Sequence, residues 1–201
     1  MLLGVSDYSA LGEVSRLLRE RLRTAFLAEP QLNPLFGGGG FVVSLETPKE
    51  MASGSPPQVG LSVWLYQIER NEFLNNRKAE RIDATHLAAT PIPINLHYLL
   101  TPISDDPHTE QLIMGKVLEV LHEDPVVPPS PAHPELDDKV RISLENPNLD
   151  VLARVWTALL EPYRLCTSYL VEVVDIASRL PIQSAPVLDK VTSFDKVLAV
   201  T

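Results

Sequence analysis

Through residues 7–28 apolar side chains return every third or fourth position, at Leu11, Val14, Leu17, Leu18, Leu22, Ala25 and Phe26, with arginines and glutamates between them. That spacing gathers the apolar groups on one side of an amphipathic helix, which needs a core to cover them. The same period returns at Ile113, Val117, Val120 and Leu121. Ahead of it, Asp105 or Asp106 stands where a helix N-cap belongs and Pro107 suits the first helical position, because its missing N–H has no partner to lose there. A third helix carries Leu152, Val155, Trp156 and Leu159, with Asn148 or Asp150 as its cap.

Between these helices the period falls to two. Phe41–Leu45 reads as a short strand. In "QVGLSVWLYQIER", residues 58–70, Val59, Leu61, Val63 and Leu65 alternate with Trp64, Tyr66 and Ile68. Apolar groups on both faces imply a central strand covered on both sides. In "PIPINLHYLLTPISDD", residues 91–106, Ile94, Leu96, Tyr98 and Leu100 take one face and Asn95, His97, Leu99 and Thr101 the other. Val140–Leu144 and Tyr169–Ile176 complete the strands. The order helix, strands, helix, strand, helix, strand predicts an α/β or α+β layer with a sheet of about five strands; periodicity does not order those strands.

The punctuation is proline, 18 residues clustered at 30–34, 56–57, 91–93, 125–134 and 181–186. "DPVVPPSPAHPELDD", 124–138, reads as an extended loop, since each proline removes a donor and restricts its neighbour. Residues 1–180 read as one domain, and 181–201 as a tail that keeps Val187, Leu188, Phe194, Val197 and Leu198 beyond the last strand as a contact arm.

Length and composition agree with a globular core: 201 residues, 45% hydrophobic and 21% charged. A net charge of -9 repels a phosphate backbone, so nucleic acid is not an expected partner. The single cysteine, Cys166, leaves no internal disulfide or thiolate cluster and suggests synthesis in a reducing compartment. "MLLGVSDYSALGEV" lacks a basic leader, and no stretch reaches about 18 apolar residues, so neither an export signal nor membrane insertion is expected.

Candidate chemistry is sparse. Gly37–Gly40 is followed by a strand with no lysine in place, whereas a phosphate loop needs a preceding strand, a lysine and a following helix, so a turn is expected. His108 and His122 are fourteen residues apart on one helix, roughly 21 Å, and share no ion. No G-x-S-x-G elbow occurs and Cys166 has no evident base. The residues therefore offer no catalytic, metal or cofactor site; His97 is expected to be a hydrogen-bonded sheet histidine, and Asp105 and Asp106 a helix cap. The competing reading is a small-molecule-binding or hydrolytic domain using His97, with Asp105 nearby in the chain. "ERNEFLNNRKAER" holds Arg70, Arg77, Lys78 and Arg81 among acids and amides, a mixed solvated loop or, alternatively, a basic contact loop.

Three stretches, "VWLYQIERNEFLNNR", "PIPINLHYLLTPISDDPHTEQLIMGKVLEVLHEDPVV" and "RISLENPNLDVLARVWTALLEPYRLCTSYLVEVVDI", together resemble the N-terminal domain family of tail-terminator or cap proteins from extracellular contractile injection systems of the antifeeding-prophage and virulence-cassette type. The likeness runs from about residue 5 to 190 and stops short of the added C-terminal domain of longer members. It implies a mixed sheet flanked by helices, as in contractile phage tail terminators, and a homohexameric ring that ends the inner tube and anchors the last sheath layer. Tube protein and sheath protein are then the partners, with no catalytic residue, metal or cofactor carried over. Assembly in the cytoplasm, within a particle either released or anchored, follows from the same likeness. Candidate assembly contacts are Arg70, Arg77, Lys78, Arg81, Val187, Leu188 and Phe194.

Overall fold

The computed structural model describes residues 8–30, 32, 41–54, 59–74, 86–87, 89–126, 140–176 and 182–183. The opening helix is α1 (Ala10–Ala28), followed by β1 (Phe41–Ser44), a short α2 (Pro48–Ala52) and the long strand β2 (Val59–Arg70). After a single 3-10 turn, Glu72–Leu74, come β3 (His86–Leu87), β4 (Ile92–Ile103), α3 (Pro107–Glu123), β5 (Arg141–Glu145), α4 (Leu149–Leu159), β6 (Thr167–Ile176) and β7 (Ile182–Gln183). The helix and strand patterns predicted from the sequence are all present.

Five strands form one mixed sheet in the order β1-β2-β4-β6-β5, with β1 parallel to β2 and the remaining neighbours antiparallel. The two long strands β2 and β4 are interior, as apolar residues on both faces demand. A separate ribbon pairs β3 with β7, His86 opposite Gln183; neither two-residue strand carries a periodic signal in the sequence. At the β1–β2 contact Val42 lies opposite Gly60, and a Cβ on Gly60 would fall on the Val42 carbonyl oxygen and within 2.9 Å of the Val42 carbonyl carbon and nitrogen. Only glycine fits that approach.

One sheet face carries the main core. Leu61, Val63, Leu96, Tyr98, Leu100, Val171 and Ile142 meet Val14, Leu18, Leu22 and Phe26 of α1 and Ile113, Val117 and Leu121 of α3. The other face is covered by α4, whose Leu152 and Trp156 pack on Leu99 with Trp64 and Tyr66 beside them. Ile68 departs from strict alternation. A bulge between Leu65 and Gln67 places it opposite Leu96, on the main-core face, rather than beside Trp64 and Tyr66. One extra residue in a strand reverses every side chain after it.

The helix ends follow their capping chemistry. Asp106, not Asp105, caps α3: its carboxylate accepts from the backbone N–H groups of His108 and Thr109 and from the Thr109 hydroxyl. Led by the hydroxyl bond, these contacts hold the Asp106 carboxyl below the usual range. Asn148 caps α4. The short α2 has a capping box in Thr47 and Glu50, a sequence signature that its five residues of helix leave too brief for periodicity to detect.

Tyr98 is fully buried, and its hydroxyl lies 2.7 Å from Ser15 Oγ, which itself donates to the Leu11 carbonyl at 3.0 Å. Tyr98 is therefore the donor to Ser15. Burial pushes its phenol up to about 12. A folded pKa above the unfolded value of 10.0 means stability that is complete below pH 10 and lost as pH rises through 10 to about 12. The expected loss over that window is about 2–3 kcal/mol. Denaturant titrations between pH 9 and 12 should show Tyr98→Phe with a flatter alkaline limb than the parent. Tyr66 and Tyr169, also raised by burial, retain part of the slope. An unchanged slope in the variant removes Tyr98 as its source.

Candidate assembly surfaces

His97 is the residue the sequence singled out, and the structure encloses it. It is 8% exposed, on the sheet face that carries α4, with the Tyr66 ring edge-on at a centroid distance of 6.1 Å. Strand pairing brings up two glutamates that no local motif announces. Glu145, at the end of β5, places its carboxylate oxygens 3.0 and 3.1 Å from His97 Nδ1. Glu69, near the end of β2, places Oε2 3.2 Å from Nε2, within ion-pair reach but off the line of a hydrogen bond. Ser168 Oγ donates to Glu145 at 2.8 Å and lies 3.2 Å from the Tyr66 hydroxyl.

This chain of contacts has the wrong order for nucleophilic catalysis. A serine nucleophile needs the imidazole as its direct partner, whereas here the carboxylate stands between Ser168 and His97. Ser168 is 1% exposed, and a carboxylate faces each ring nitrogen, so neither nitrogen is left for a substrate. Asp105 is no partner either, since the strand end at Ile103 is six residues beyond His97, roughly 20 Å away. The glutamates lie on opposite sides of the ring and cannot close on one ion; among the described residues no group of three His, Cys, Asp or Glu side chains converges as a cation site. Cys166 is raised by burial, against weaker contacts from Trp156 and Tyr163, which disfavours the thiolate. The cluster gives His97 Nδ1 and the Ser168 hydroxyl hydrogen-bond partners inside the sheet layer, while Nε2 has the Glu69 carboxylate nearby without a hydrogen bond.

The outward surfaces are more distinctive. Helix α4 buries only Leu152 and Trp156; Leu149 and Val151 in its first turn, Leu160 at its end, and Tyr163 and Leu165 after it are exposed. Leu160 closes the helix with φ 56°, a left-handed conformation that favours glycine, and its side chain is 80% exposed. Lys49 of α2 donates to the Leu159 carbonyl at 3.0 Å and steadies that end. Phe73 stands almost wholly exposed in the turn after β2. On the main-core side, a groove of about 600 Å³ opens between α3 and β5, lined by Leu118, Leu121, Ile142, Leu144 and Tyr169. Single exposed apolar residues are ordinary, but grouped ones mark contact surfaces.

Of the predicted contacts, Arg70 ends β2 as an exposed residue beside Phe73 in the chain. Arg77, Lys78, Arg81, Val187, Leu188 and Phe194 lie outside the described residues, as do the glycine run and most of the 124–138 proline loop. The α4 surface and the α3–β5 groove were missed. Their residues belong to helix and strand patterns whose uncovered sides depend on which elements pack where. Among the described residues no helix is long and apolar enough to cross a membrane.

Together these features define an α/β domain with a mixed five-stranded sheet, helices on both faces and apolar groups left outside. Residues 13–190 match the family described as the Pvc16 N-terminal domain, and the chain belongs to that family. The fold is similar to the sheath/tube terminator of the extracellular contractile injection system PVC, solved by cryo-electron microscopy in the extended state, with TM-score 0.62, 18% identity, and coverage of 99% of this chain and 66% of that one. It is also similar to the tube-terminating cap of the anti-feeding prophage, with TM-score 0.52, 19% identity, and coverage of 85% of this chain and 62% of that one. The chain thus spans less than two-thirds of the length of either. No curated protein matches the sequence.

Proposed function

We propose that this chain is a cap, or terminator, of a contractile phage-tail-like injection particle, a non-enzymatic ring that ends the inner tube and anchors the last layer of sheath. The observation that carries the reading is the match of 99% of the chain to a sheath/tube terminator, joined to family membership over residues 13–190. Six copies are the natural number for a ring that must meet a six-fold tube, since head-to-tail contacts close only when the rotation per subunit divides a full turn. Tube and sheath proteins are then its axial partners, and assembly precedes any release of the particle. In this reading residues 1–180 form the ring domain and 181–201 its contact arm, with Arg70, Arg77, Lys78, Arg81, Val187, Leu188 and Phe194 as candidate contacts.

Cryo-electron microscopy of the particle end distal to the baseplate tests this reading. The expected result is a six-fold ring of this chain on the last tube layer; density for another protein there, or this chain at the baseplate, overturns it. A second arm addresses His97. His97→Gln keeps an amide donor toward Glu145 and should cost about 1 kcal/mol while leaving tube ends capped. A folded variant that loses capping would refute the structural role of His97.

A further inference from the structure

The α3–β5 groove sits beside an open sheet edge. β5 is the outermost strand on the side away from β1, and among the described residues its edge is met at its start alone: the Ile142 N–H donates to the Pro125 carbonyl at 2.7 Å, and Arg141 bridges Val126. Backbone groups on alternate residues of a strand point to the same edge. The Pro125 bond thus assigns Ile142 and Leu144 to the outward set, and Leu144 presents its N–H and C=O beyond the sheet. Its side chain is 51% exposed over the groove. A strand laid along this edge would extend the ladder at Leu144 and drop alternate side chains onto Leu118, Leu121 and Tyr169.

The groove rim selects the sign of that strand. Glu119 lines the groove beside His122, and Glu123 and Asp124 are exposed after it at the end of α3. Asp124 is 3.5 Å from Arg21 and Glu119 is 3.2 Å from Lys116, but Lys116 is shared with Glu29, also at 3.2 Å. Arg141 does not offset the surplus, because it faces the other side of the sheet opposite Glu172. A negative surplus remains beside an apolar trough.

The sequence beyond β7, "SAPVLDKVTSFDKVLAVT" (184–201), lies outside the described residues. Read with a strand's period of two, Leu188, Lys190, Phe194, Lys196 and Leu198 fall on one face. Asp189 and Asp195 fall on the opposite face. Leu188, Phe194, Leu198 and both lysines thus share one side, which complements an apolar groove with an acidic rim, while both acids share the other with Val191 and Val197.

We propose that residues 188–198 of one copy add as a strand along β5 of a neighbouring copy, with Phe194 in the groove and Lys190 and Lys196 against the acidic rim. The choice of a neighbour over the same chain rests on the ring reading above, because a head-to-tail contact of this kind repeats around a ring. Each docking is small. Closure of the ring makes successive dockings intramolecular and raises their joint strength.

Site-directed cross-linking of full-length chains tests the proposal. In a Cys166→Ser background, His122→Cys places a thiol on the groove rim and Thr192→Cys places one on the Phe194 side of the tail. Oxidising an equal mixture of the two single variants, in assembled rings, should give a disulfide-linked dimer. The double variant should give a ladder of linked copies, and adding Phe194→Asp should abolish both products. An internally linked monomer from the double variant overturns the proposal by making the chain's own tail the occupant. Intact rings with no cross-link overturn it too, leaving the cap reading standing. A cross-link between copies that form no ring supports the docking and sinks the ring reading alone.

Discussion

Replacing Trp156 by alanine is expected to destabilise the protein by about 3–5 kcal/mol, a large share of what a domain of this size has. Trp156 is 2% exposed, packs with Leu152 against Leu99, and meets Tyr163 edge-on at 6.1 Å. Its indole N–H has no hydrogen-bond acceptor and faces the Cys166 sulfur, so the loss is one of packing rather than of a polar bond. Because Leu152 is the only other buried side chain of α4, the variant leaves this helix with little to hold it. Hydrogen exchange should therefore rise first across 149–160, with α1 and α3 still protected on the other sheet face. Trp156→Phe should recover much of the stability. If Trp156→Ala melts within about 1 kcal/mol of the parent, the second core has no energetic weight and the two-faced description of the sheet is wrong.

The second large effect is expected at Gly60. An alanine there drives its Cβ into the backbone of Val42, and backbone cannot swing aside as a side chain can. Overpacking typically costs about 1–3 kcal/mol, and a backbone collision belongs at or above the upper end. The relief open to the chain is separation of β1 from β2, which would strip the sheet of its only parallel pair and uncover Phe41 and Val43 in the core. Gly115 is the control. It lies in the middle of α3, exposed, with nothing within 4 Å of an added Cβ, so Gly115→Ala should stabilise by roughly 0.5–1 kcal/mol through helix propensity. Chemical denaturation of both variants checks the pair. Equal effects at the two glycines would mean that β1 does not approach β2 as closely as described.

The elements were legible because local periodicity reports them directly. Alternation about Leu96, Tyr98 and Leu100 and the three-four spacing at Ile113, Val117 and Val120 follow from side-chain direction alone, and Asp106 with Pro107 marks a helix start by its own hydrogen-bonding needs. His97 was assigned to a strand face on the same grounds. The resemblance carried by the L-H-Y-L-L strand and the Trp156 helix located the family, which periodicity could not have supplied.

Tertiary structure alone decided everything that depends on residues far apart in the chain. Glu69 and Glu145 reach His97 because β2 and β6 flank β4 and β5 follows β6, an order that no period encodes. The bulge after Leu65 reversed Ile68, since a single inserted residue leaves the composition of the strand unchanged. The groove beside β5 exists because that strand is outermost; within the sequence, Ile142 and Leu144 look like any buried pair. A sequence fixes which side of an element is apolar, but whether that side is covered depends on what else packs there. The exposure of Leu144, Leu149 and Leu160 became visible only once the layers were in place.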